Sequence, residues 1–301
     1  KFVRGGLQMT TIRDCIAPDR NPKVPSIKLP KGSIDTHVHI FESQYPLFEG
    51  RGYNPPDSTL DDLKHLHTQL GVSRVVYTQP SPYGVDNSAI LKGMKVMNNE
   101  TPGRARGVCA IKMDVSDSFL EDLDKQGIKG VRLNMDNIGG MPIGLDEIPT
   151  LEARIKDLGW HVEYLFPGKD IVELAPIFKK SSVPISIAHF AYQPATNGIN
   201  SEGFKTLLDL VRDGNTWIKI SGANRVSETD LPPYDDVMPM AQALIEANSD
   251  NIMWGTDWPH PNKYEVNPND GDLVDAFGEW VTDDSMRQKI MVTNPEKFYS
   301  F

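Results

Sequence analysis

The chain has 301 residues, of which 39% are apolar and 24% charged, and it carries a net charge of −10. This length and apolar content allow a substantial core, and barrels of parallel strands commonly reach this size. The negative charge argues against nucleic acid and anionic membranes as partners, because both would require a concentrated basic surface.

Cysteine usage and hydropathy point to the cytoplasm. Cys15 and Cys109 are far apart and outside any C-x-x-C spacing, so the sequence indicates neither a disulfide framework nor a thiolate zinc site. No apolar run approaches the roughly 18 residues of a membrane span, and no basic-then-apolar leader begins at Lys1. We therefore expect a cytoplasmic protein without membrane contact, and the sequence leaves a homo-oligomer open.

The first 31 residues are predicted to form an arm laid along the domain. Pro18, Pro22, Pro25 and Pro30 interrupt this stretch, which lacks a sustained helical or strand period. Residues 32–301 are then expected to form one catalytic domain.

Short apolar runs recur through that domain, with amphipathic helical stretches between most of them. The helical stretches include Ser118–Gln126, Leu145–Leu158, Ser201–Asp213 and Tyr234–Ala247. The apolar runs are Ser33–His39, Arg74–Gln79, Arg106–Lys112, Ile128–Asn134, Trp160–Phe166, Val183–His189, Thr216–Ser221 and Ile252–Asp257. Eight alternating β and α units predict an α/β fold, a (β/α)8 TIM barrel closed by parallel strands.

The first predicted strand contains His37 and His39. Because side chains alternate along a strand, both imidazoles should face the interior at the barrel's mouth. The sixth strand ends at His189 and the eighth at Asp257, and active sites of such barrels gather at the carboxyl ends of the strands. We therefore expect these four residues to meet in one pocket.

Three imidazoles and a carboxylate can hold one zinc or similar divalent ion and leave a position for water. The same Asp257 could instead take a proton from water without a metal. The fourth strand ends in Asn134 rather than a lysine that could bridge two ions, so two metals are not expected.

The chain also resembles a known family over residues 32–295. The resemblance rests on Asp35–Phe41, Gln79–Asn87, Gly130–Asn134, Ser221–Ser227 and Trp254–Pro261, above all on the Gly-Thr-Asp-Trp-Pro-His-Pro run. These segments resemble the amidohydrolase-superfamily lactonases, which include the pyrone-dicarboxylate lactonases and the 4-sulfomuconolactone hydrolases.

The resemblance implies a hydrolase that opens the lactone ring of a small acidic compound. It implies that Asp257 is the general base, that His37, His39 and His189 polarise the carbonyl or hold zinc, and that Arg132 and Arg225 bind anionic groups. It further implies that Tyr53, Ser81 and Tyr164 donate hydrogen bonds to the substrate. Arginine forks suit carboxylate and sulfonate oxygens, which agrees with an anionic substrate.

Two departures bear on the substrate. The pyrone-dicarboxylate enzymes carry an arginine three residues after the sixth-strand histidine, where this chain has Tyr192, and another beyond the fourth strand, where residues 136–140 offer none. The chain also resembles the 4-sulfomuconolactone hydrolases, which are held to use zinc, and 4-sulfomuconolactone is therefore a leading candidate for the substrate. The substrate would come from the breakdown of aromatic compounds or a similar organic acid.

Rival functions stay open at this point. A sugar-acid lactone isomerase or a metal-dependent decarboxylase could use the same residues, and a binding protein that has lost catalysis is a further alternative. Among the other histidines, His161 is expected to be structural and His65 and His67 to lie on a helix surface or in helix packing. For His260 the sequence leaves loop shaping and proton relay equally open, and Asp35 is expected to support the histidine pair.

Overall fold

The computed structural model describes residues 12–137, 139–140 and 142–301, and its framework is an eight-stranded sheet in sequential strand order. Every pair of neighbouring strands within this sheet is parallel. The strands are β1 (Ile34–Val38), β2 (Arg74–Thr78), β3 (Ala105–Cys109), β4 (Ile128–Asn134), β5 (His161–Leu165), β6 (Ile185–Ile187), β7 (Thr216–Lys219) and β8 (Ile252–Met253).

The sheet closes on itself where the first strand meets the segment after the last. The Thr36 backbone N–H donates to the Trp254 carbonyl over 3.2 Å, and Val38 forms a parallel bridge with Trp258. A helix follows each strand along the chain, as a closed barrel of parallel strands requires. The predicted (β/α)8 barrel is thus confirmed, and each of the eight apolar runs coincides with one strand, although β3 begins one residue before its predicted run.

Eight helices follow the strands in alternation, and two shorter ones close the described chain. They are α1 (Leu60–Leu70), α2 (Ser88–Glu100), α3 (Asp117–Lys125), α4 (Ile148–Ile155), α5 (Ile171–Phe178), α6 (Glu202–Arg212), α7 (Met238–Asn248), α8 (Asp270–Trp280), α9 (Asp284–Gln288) and α10 (Asn294–Tyr299). Among the described residues, no helix combines the length and the apolar character needed to cross a membrane.

Helix α1 shows how the sequence sets these elements. Thr59 and Asp62 form a reciprocal capping box at its first turn, and the helix ends at Gly71, whose φ of 77° favours glycine. Its buried residues recur at helical spacing and face the barrel: Leu63, Leu66, His67 and Leu70.

Two predicted helices are shorter than expected. The stretch Leu145–Leu158 is an α-helix only over Ile148–Ile155, with a 3-10 turn on each side. The stretch Tyr234–Ala247 becomes helical at Met238, because Tyr234 has a φ of 57° that a right-handed helix does not accommodate.

Two apolar clusters form the core. The larger one fills the space between strands and helices, where most buried side chains lie. The smaller one closes the barrel interior at the end opposite the strands' carboxyl ends, with Phe298 and Phe301 packed against it. We call this end the floor and the other end the mouth. The floor cluster comprises Ile34, Val76, Val108, Trp217, Met253 and Tyr299.

The described part of the predicted arm, residues 12–31, lies against the barrel; its first eleven residues are outside the described chain. Arg13–Asp14 pairs in parallel with Tyr53–Asn54. Further along, Arg20 forms an ion pair with Asp62 of α1 over 2.7 Å. Lys23 then pairs with Asp272 of α8 over 2.6 Å. The arm therefore spans from the first helix to the eighth.

Candidate active site

The histidine pair lies at the mouth, at the end of β1. His37 is the fourth residue of the strand and His39 follows its last residue, and both are buried. Their rings meet edge to face with centroids 5.0 Å apart. The Nδ1 of His39 donates to the Thr78 carbonyl over 2.7 Å, which leaves the lone pair on Nε2 facing the interior.

His189 and Asp257 lie beyond the ends of β6 and β8 rather than in them. Their φ values are 54° and 64°, in the left-handed region that non-glycine residues seldom occupy. Such backbone costs of order 1–3 kcal/mol per residue and tends to persist at functional sites. Strand alternation alone would therefore not have fixed the direction of these two side chains.

All four side chains nevertheless converge. The Oδ1 atom of Asp257 lies 3.4 Å from Nε2 of His189 and 3.8 Å from Nε2 of both His37 and His39. Neither Asp257 Oδ1 nor His37 Nε2 has a hydrogen-bond partner among the described residues, although both are buried. Buried polar atoms that face one another without partners can both contact one bound ion or polar ligand.

Burial keeps the three imidazoles uncharged. It lowers the pKa of His37, His39 and His189 well below 6.5, and neighbouring positive groups lower it further. For His37 the largest such contribution comes from Lys219, and for His189 from Arg225. Neutral imidazoles can ligate a metal or exchange hydrogen bonds with a substrate.

The second oxygen of Asp257 is held by Arg225. The Arg225 Nε donates to Oδ2 over 2.6 Å, and its Nη2 donates to the Pro261 carbonyl over 2.9 Å. The adjacent carboxylate raises the pKa of Arg225 against the effect of burial. Arg225 therefore lines the pocket, and part of its donor capacity is spent on Asp257.

Arg132 lies on β4 and is also buried in the site. Its Nη1 donates to the Gln79 carbonyl over 2.8 Å, while its Nε has no hydrogen-bond partner among the described residues and lies 3.7 Å from Glu163 Oε1. Its side chain shares the pocket lining with Arg225.

The three predicted hydrogen-bond donors fall in different places. Tyr53 lines the pocket, and burial raises its pKa, an effect that the nearby Ser81 hydroxyl opposes. Ser81 is buried beside it. Tyr164 instead packs against Phe178 of α5, with ring centroids 4.7 Å apart. It lies on the helix side of β5, because Leu165, its neighbour in the strand, faces the pocket.

Beneath the histidines lies a buried ion pair that the sequence analysis missed. Lys219 of β7 contacts Glu163 of β5, donates to the Thr36 carbonyl over 2.8 Å and lies 3.3 Å from His37 Nδ1. Both charged side chains are fully buried. A lysine and a glutamate inside otherwise apolar strands were the signal that could have identified them.

The pocket itself is small, with an empty volume of about 270 Å³ including its open mouth. Most of its lining is uncharged. The lining residues are His39, Tyr53, Arg132, Asn134, Asn137, Leu165, His189, Tyr192, Arg225, Asp257, Pro261 and Asn262.

The remaining histidines lie outside this pocket. His161 is buried at the floor, and His65 is exposed on α1. His67 contacts Asp35 over 3.2 Å, and Asp35 also accepts hydrogen bonds from Thr256. His260 contacts Asp270 over 3.1 Å. Asp35 therefore braces the segment that precedes Asp257.

The site fits one divalent ion. One nitrogen each from His37 and His39 and one oxygen from Asp257 lie within 4.8 Å of one another, and all three residues are buried. Zinc ligands about 2.0–2.2 Å from a tetrahedral ion would be about 3.4 Å apart. The separations of 3.4 to 3.8 Å between Asp257 Oδ1 and the three imidazoles are close to that spacing.

Comparisons with known proteins match most of the chain. Residues 34–301 match a family model described as amidohydrolase. The chain is 35% identical to a 2-pyrone-4,6-dicarboxylate hydrolase of Comamonas testosteroni, over 93% of each chain. It is 33% identical to a 4-sulfomuconolactone hydrolase of Hydrogenophaga intermedia, over 95% of this chain and 94% of the relative.

A solved structure is similar over a comparable span. It is a probable 2-pyrone-4,6-dicarboxylic acid hydrolase of Acinetobacter baumannii with citric acid bound. The TM-score is 0.78 at 27% identity, with 90% of this chain and 100% of the other covered.

Proposed function

The chain belongs to the amidohydrolase family, and from this premise we propose that it is a lactone hydrolase acting on a small anionic lactone. The observation that carries the proposal is Asp257 Oδ1, an unpartnered carboxylate oxygen 3.4 to 3.8 Å from three neutral imidazoles at the mouth of the barrel. The two hydrolases at 35% and 33% identity support the reaction class. Muconolactone and pyrone-carboxylate skeletons, including 4-sulfomuconolactone, are the compounds to assay.

Asp257 is the general base in this proposal. Because Arg225 holds Oδ2, Oδ1 is the carboxylate oxygen that can take a proton from water, with or without a contact to the ion. The hydroxide oxygen bonds to the lactone carbonyl carbon, the ring C–O bond breaks, and the proton passes to the departing ring oxygen. The products are a carboxylic acid and a hydroxyl or enol on the same opened chain.

His37, His39, His189 and Asp257 would hold one divalent ion, for which zinc is our proposal. When bound, it would polarise the lactone carbonyl and stabilise the negative charge that develops on its oxygen. His39 already directs its Nε2 lone pair inward. For His37 to ligate through Nε2, its Nδ1 must carry the proton. Glu163 Oε1 lies 3.7 Å from Nδ1, beyond hydrogen-bond distance, and would have to move closer to accept that proton, while Lys219 Nζ lies 3.3 Å from the same nitrogen.

Arg132 and Arg225 would bind the anionic group of the substrate, and Tyr53 and Ser81 would donate hydrogen bonds near it. Arginine side chains at a buried site suit carboxylate and sulfonate oxygens. The unpaired Cys15 and Cys109 support a reducing compartment, and we propose the cytoplasm. A role in aromatic-compound breakdown follows from the same substrate class.

The test combines elemental analysis with a panel of acidic lactones in heavy-oxygen water. We expect close to one equivalent of zinc, lower activity after chelation, and one heavy oxygen in the new carboxyl group. Full activity of metal-free protein would overturn the proposal that zinc is required but would not contradict the proposed hydrolysis. A rearranged lactone without oxygen uptake would identify an isomerase, and release of carbon dioxide a decarboxylase; either product would overturn the proposed function.

A further inference from the structure

The backbone is left-handed for four consecutive residues just after β6 ends. His189, Phe190, Ala191 and Tyr192 have φ values of 54°, 53°, 53° and 50°, and none of them is glycine. L-amino acids seldom adopt this backbone, and then mostly as single residues, because Cβ comes too close to the following carbonyl oxygen. A run of four such residues persists only where the surrounding structure holds it.

This left-handed turn, residues 189–192, determines which side chains face the pocket. The ψ values of 26° and 30° at Phe190 and Ala191 make it the mirror image of a 3-10 turn, in which residues three apart lie on the same side. His189 and Tyr192 are three apart, and their rings stack at 19° with centroids 5.8 Å apart. Both side chains line the pocket. In an extended continuation of β6 they would face opposite sides of the strand.

Gln193 joins the left-handed turn to the loop that follows β5. Its side-chain Nε2 donates to the Gly168 carbonyl over 2.7 Å and to the Ala191 carbonyl over 3.2 Å. Its backbone N–H donates to the Phe190 carbonyl over 3.1 Å, which closes the turn. The side chain is buried, yet it lies outside the described lining of the pocket. One amide nitrogen therefore connects the turn to its neighbour without taking part in the pocket itself.

Two glycines leave the space that this arrangement needs. A Cβ added at Gly168 would overlap the Tyr192 carbonyl oxygen, so the loop after β5 and the turn touch through their backbones. A Cβ added at Gly203, in the first turn of α6, would overlap Oε1 of Gln193. The Gln193 amide is therefore enclosed by the turn, the loop after β5 and α6, and a larger residue at either glycine would have to displace a neighbour.

We propose that Gln193 is a positioning residue of this enzyme, whose amide holds the left-handed turn that directs His189 and Tyr192 into the pocket. The inference rests on the proposed lactone hydrolysis, in which His189 polarises the carbonyl or holds the ion. Without the two amide hydrogen bonds, the turn can relax towards the backbone that L-amino acids prefer. His189 Nε2, which lies 3.4 Å from Asp257 Oδ1, would then leave the position from which it acts.

The variant Gln193→Met tests this role. Methionine is uncharged and of similar length, but it cannot donate to the two carbonyls. We expect kcat to fall by about 10-fold or more, as is typical for residues that orient an active-site histidine. In a His189→Ala background the same substitution should change kcat by less than about 2-fold, because the residue through which Gln193 acts is absent. The full loss in that background would overturn the proposal.

The matched control is Asn251→Leu at the floor. The Asn251 Nδ2 donates to the Gly214 and Thr216 carbonyls over 2.7 and 3.0 Å, which is the same pattern of one amide nitrogen and two carbonyls. We expect this variant to lower the urea midpoint of unfolding about as much as Gln193→Met does, with kcat and KM unchanged. An equal loss of kcat in both variants would assign the effect to general stability and would overturn the positioning role.

The variant Gly203→Ala displaces the Gln193 amide without changing its chemistry. The added methyl group would push Oε1 away, whereas alanine favours the helix α6 more than glycine does. We therefore expect kcat to fall by about 3-fold or more, with an unfolding midpoint close to that of the wild type. If Gln193→Met does not fold, this variant decides the question, and a normal kcat would overturn the proposal.

Hydrogen exchange measured by mass spectrometry separates this inference from the hydrolase proposal. The backbone N–H groups of Ala191 and Gln193 donate within the segment 188–193, to the carbonyls of Ala188 and Phe190. We expect this segment to exchange about 10-fold faster in Gln193→Met than in the wild type, with no such change in Asn251→Leu. That result would support the role of Gln193 even if no lactone were hydrolysed or His189→Ala had no measurable activity. Unchanged exchange would overturn it, whether or not the chain hydrolyses a lactone.

Discussion

The mouth and the floor of the barrel both contain buried imidazoles with unpartnered nitrogen atoms. At the mouth, His37 Nε2 faces the unpartnered Asp257 Oδ1 across 3.8 Å. At the floor, both ring nitrogens of His161 lack hydrogen-bond partners among the described residues. The two ends therefore look alike when buried polar atoms are considered one at a time.

Their surroundings differ. The His161 ring packs against Phe298 and Tyr299, with centroids 4.4 and 5.3 Å away, and a Cβ added at Gly130 would come within 2.5 Å of it. At the floor, aromatic rings thus occupy the space that a ligand would need. An unpartnered polar atom therefore indicates a binding site only where several such atoms share an open pocket, as they do around Asp257.

The largest expected effect on activity is at the mouth. Asp257→Asn keeps the shape of the side chain and removes the proposed base, so kcat should fall by about 100-fold or more. Binding of the anionic substrate should survive, because Arg132 and Arg225 remain. Steady-state kinetics and calorimetry measure the two quantities. A near-normal kcat with unchanged metal content would assign the base elsewhere.

The next effect concerns the ion pair between the two ends. Lys219→Met leaves the buried Glu163 without its partner, and we expect the free energy of unfolding to fall by about 3–5 kcal/mol. The double variant Lys219→Met/Glu163→Leu should recover most of that loss, yet its kcat should stay low because His37 has lost its contact with Lys219. Urea denaturation and kinetics are the measurements, with Lys205→Met on the exposed side of α6 as control. Full activity in the double variant would show that the pair serves stability alone.

A smaller effect is expected for substrate binding at the mouth. Arg132→Met should raise KM for a carboxylated lactone by about 30-fold, equivalent to about 2 kcal/mol, and much less for its methyl ester. Arg212→Met, at an exposed position of α6, is the matched control. Equal changes in KM for the acid and the ester would mean that Arg132 supports the fold and does not bind the carboxylate of the substrate.

The smallest effect on activity is expected at the floor, where the change is in the pH dependence of stability. Burial lowers the pKa of His161 to about 3, whereas an unfolded histidine titrates near 6.5. Between these values the unfolded chain binds more protons, so the folded state loses stability as the pH falls below 6.5 and retains it above. His161→Phe should therefore reduce the slope of unfolding free energy against pH by about 1.4 kcal/mol per pH unit in acid.

Two measurements accompany that variant. Urea denaturation between pH 4 and 6 gives the slope, and the exposed His65→Gln is a control that should leave it nearly unchanged. The kcat/KM of His161→Phe at neutral pH should stay close to that of the wild type. A large loss of activity would mean that His161 at the floor contributes to catalysis, so that the two ends of the barrel would not differ in function.

The sequence predicted well what depends on periodicity. Alternating apolar runs and amphipathic stretches placed all eight strands, and the H-x-H spacing placed His37 and His39 on one side of β1. Strand order followed from chain order because consecutive parallel units are neighbours in a barrel.

Contacts between residues that are far apart in the sequence could not be predicted from periodicity. The contact between Arg225 and Asp257 and the ion pair of Lys219 with Glu163 depend on which residues meet across the barrel, and no local pattern encodes that. The role assigned to Tyr164 came from resemblance and disagrees with alternation in β5, which directs it towards α5. The left-handed backbone at His189 and Asp257 was also invisible, because it occurs after the strands have ended.

The arm described with the fold has a consequence for the order in which the protein forms during synthesis. Its contacts with α8 join residues separated by about 250 positions: Lys23 with Asp272, and the Ser26 backbone with Asp275 over 2.7 Å. The arm leaves the ribosome before the barrel, but these partners emerge only after seven of the eight βα units have been made. In a nascent chain this segment therefore stays undocked while most of the barrel is made, and the arm can connect α1 to α8 only late in translation.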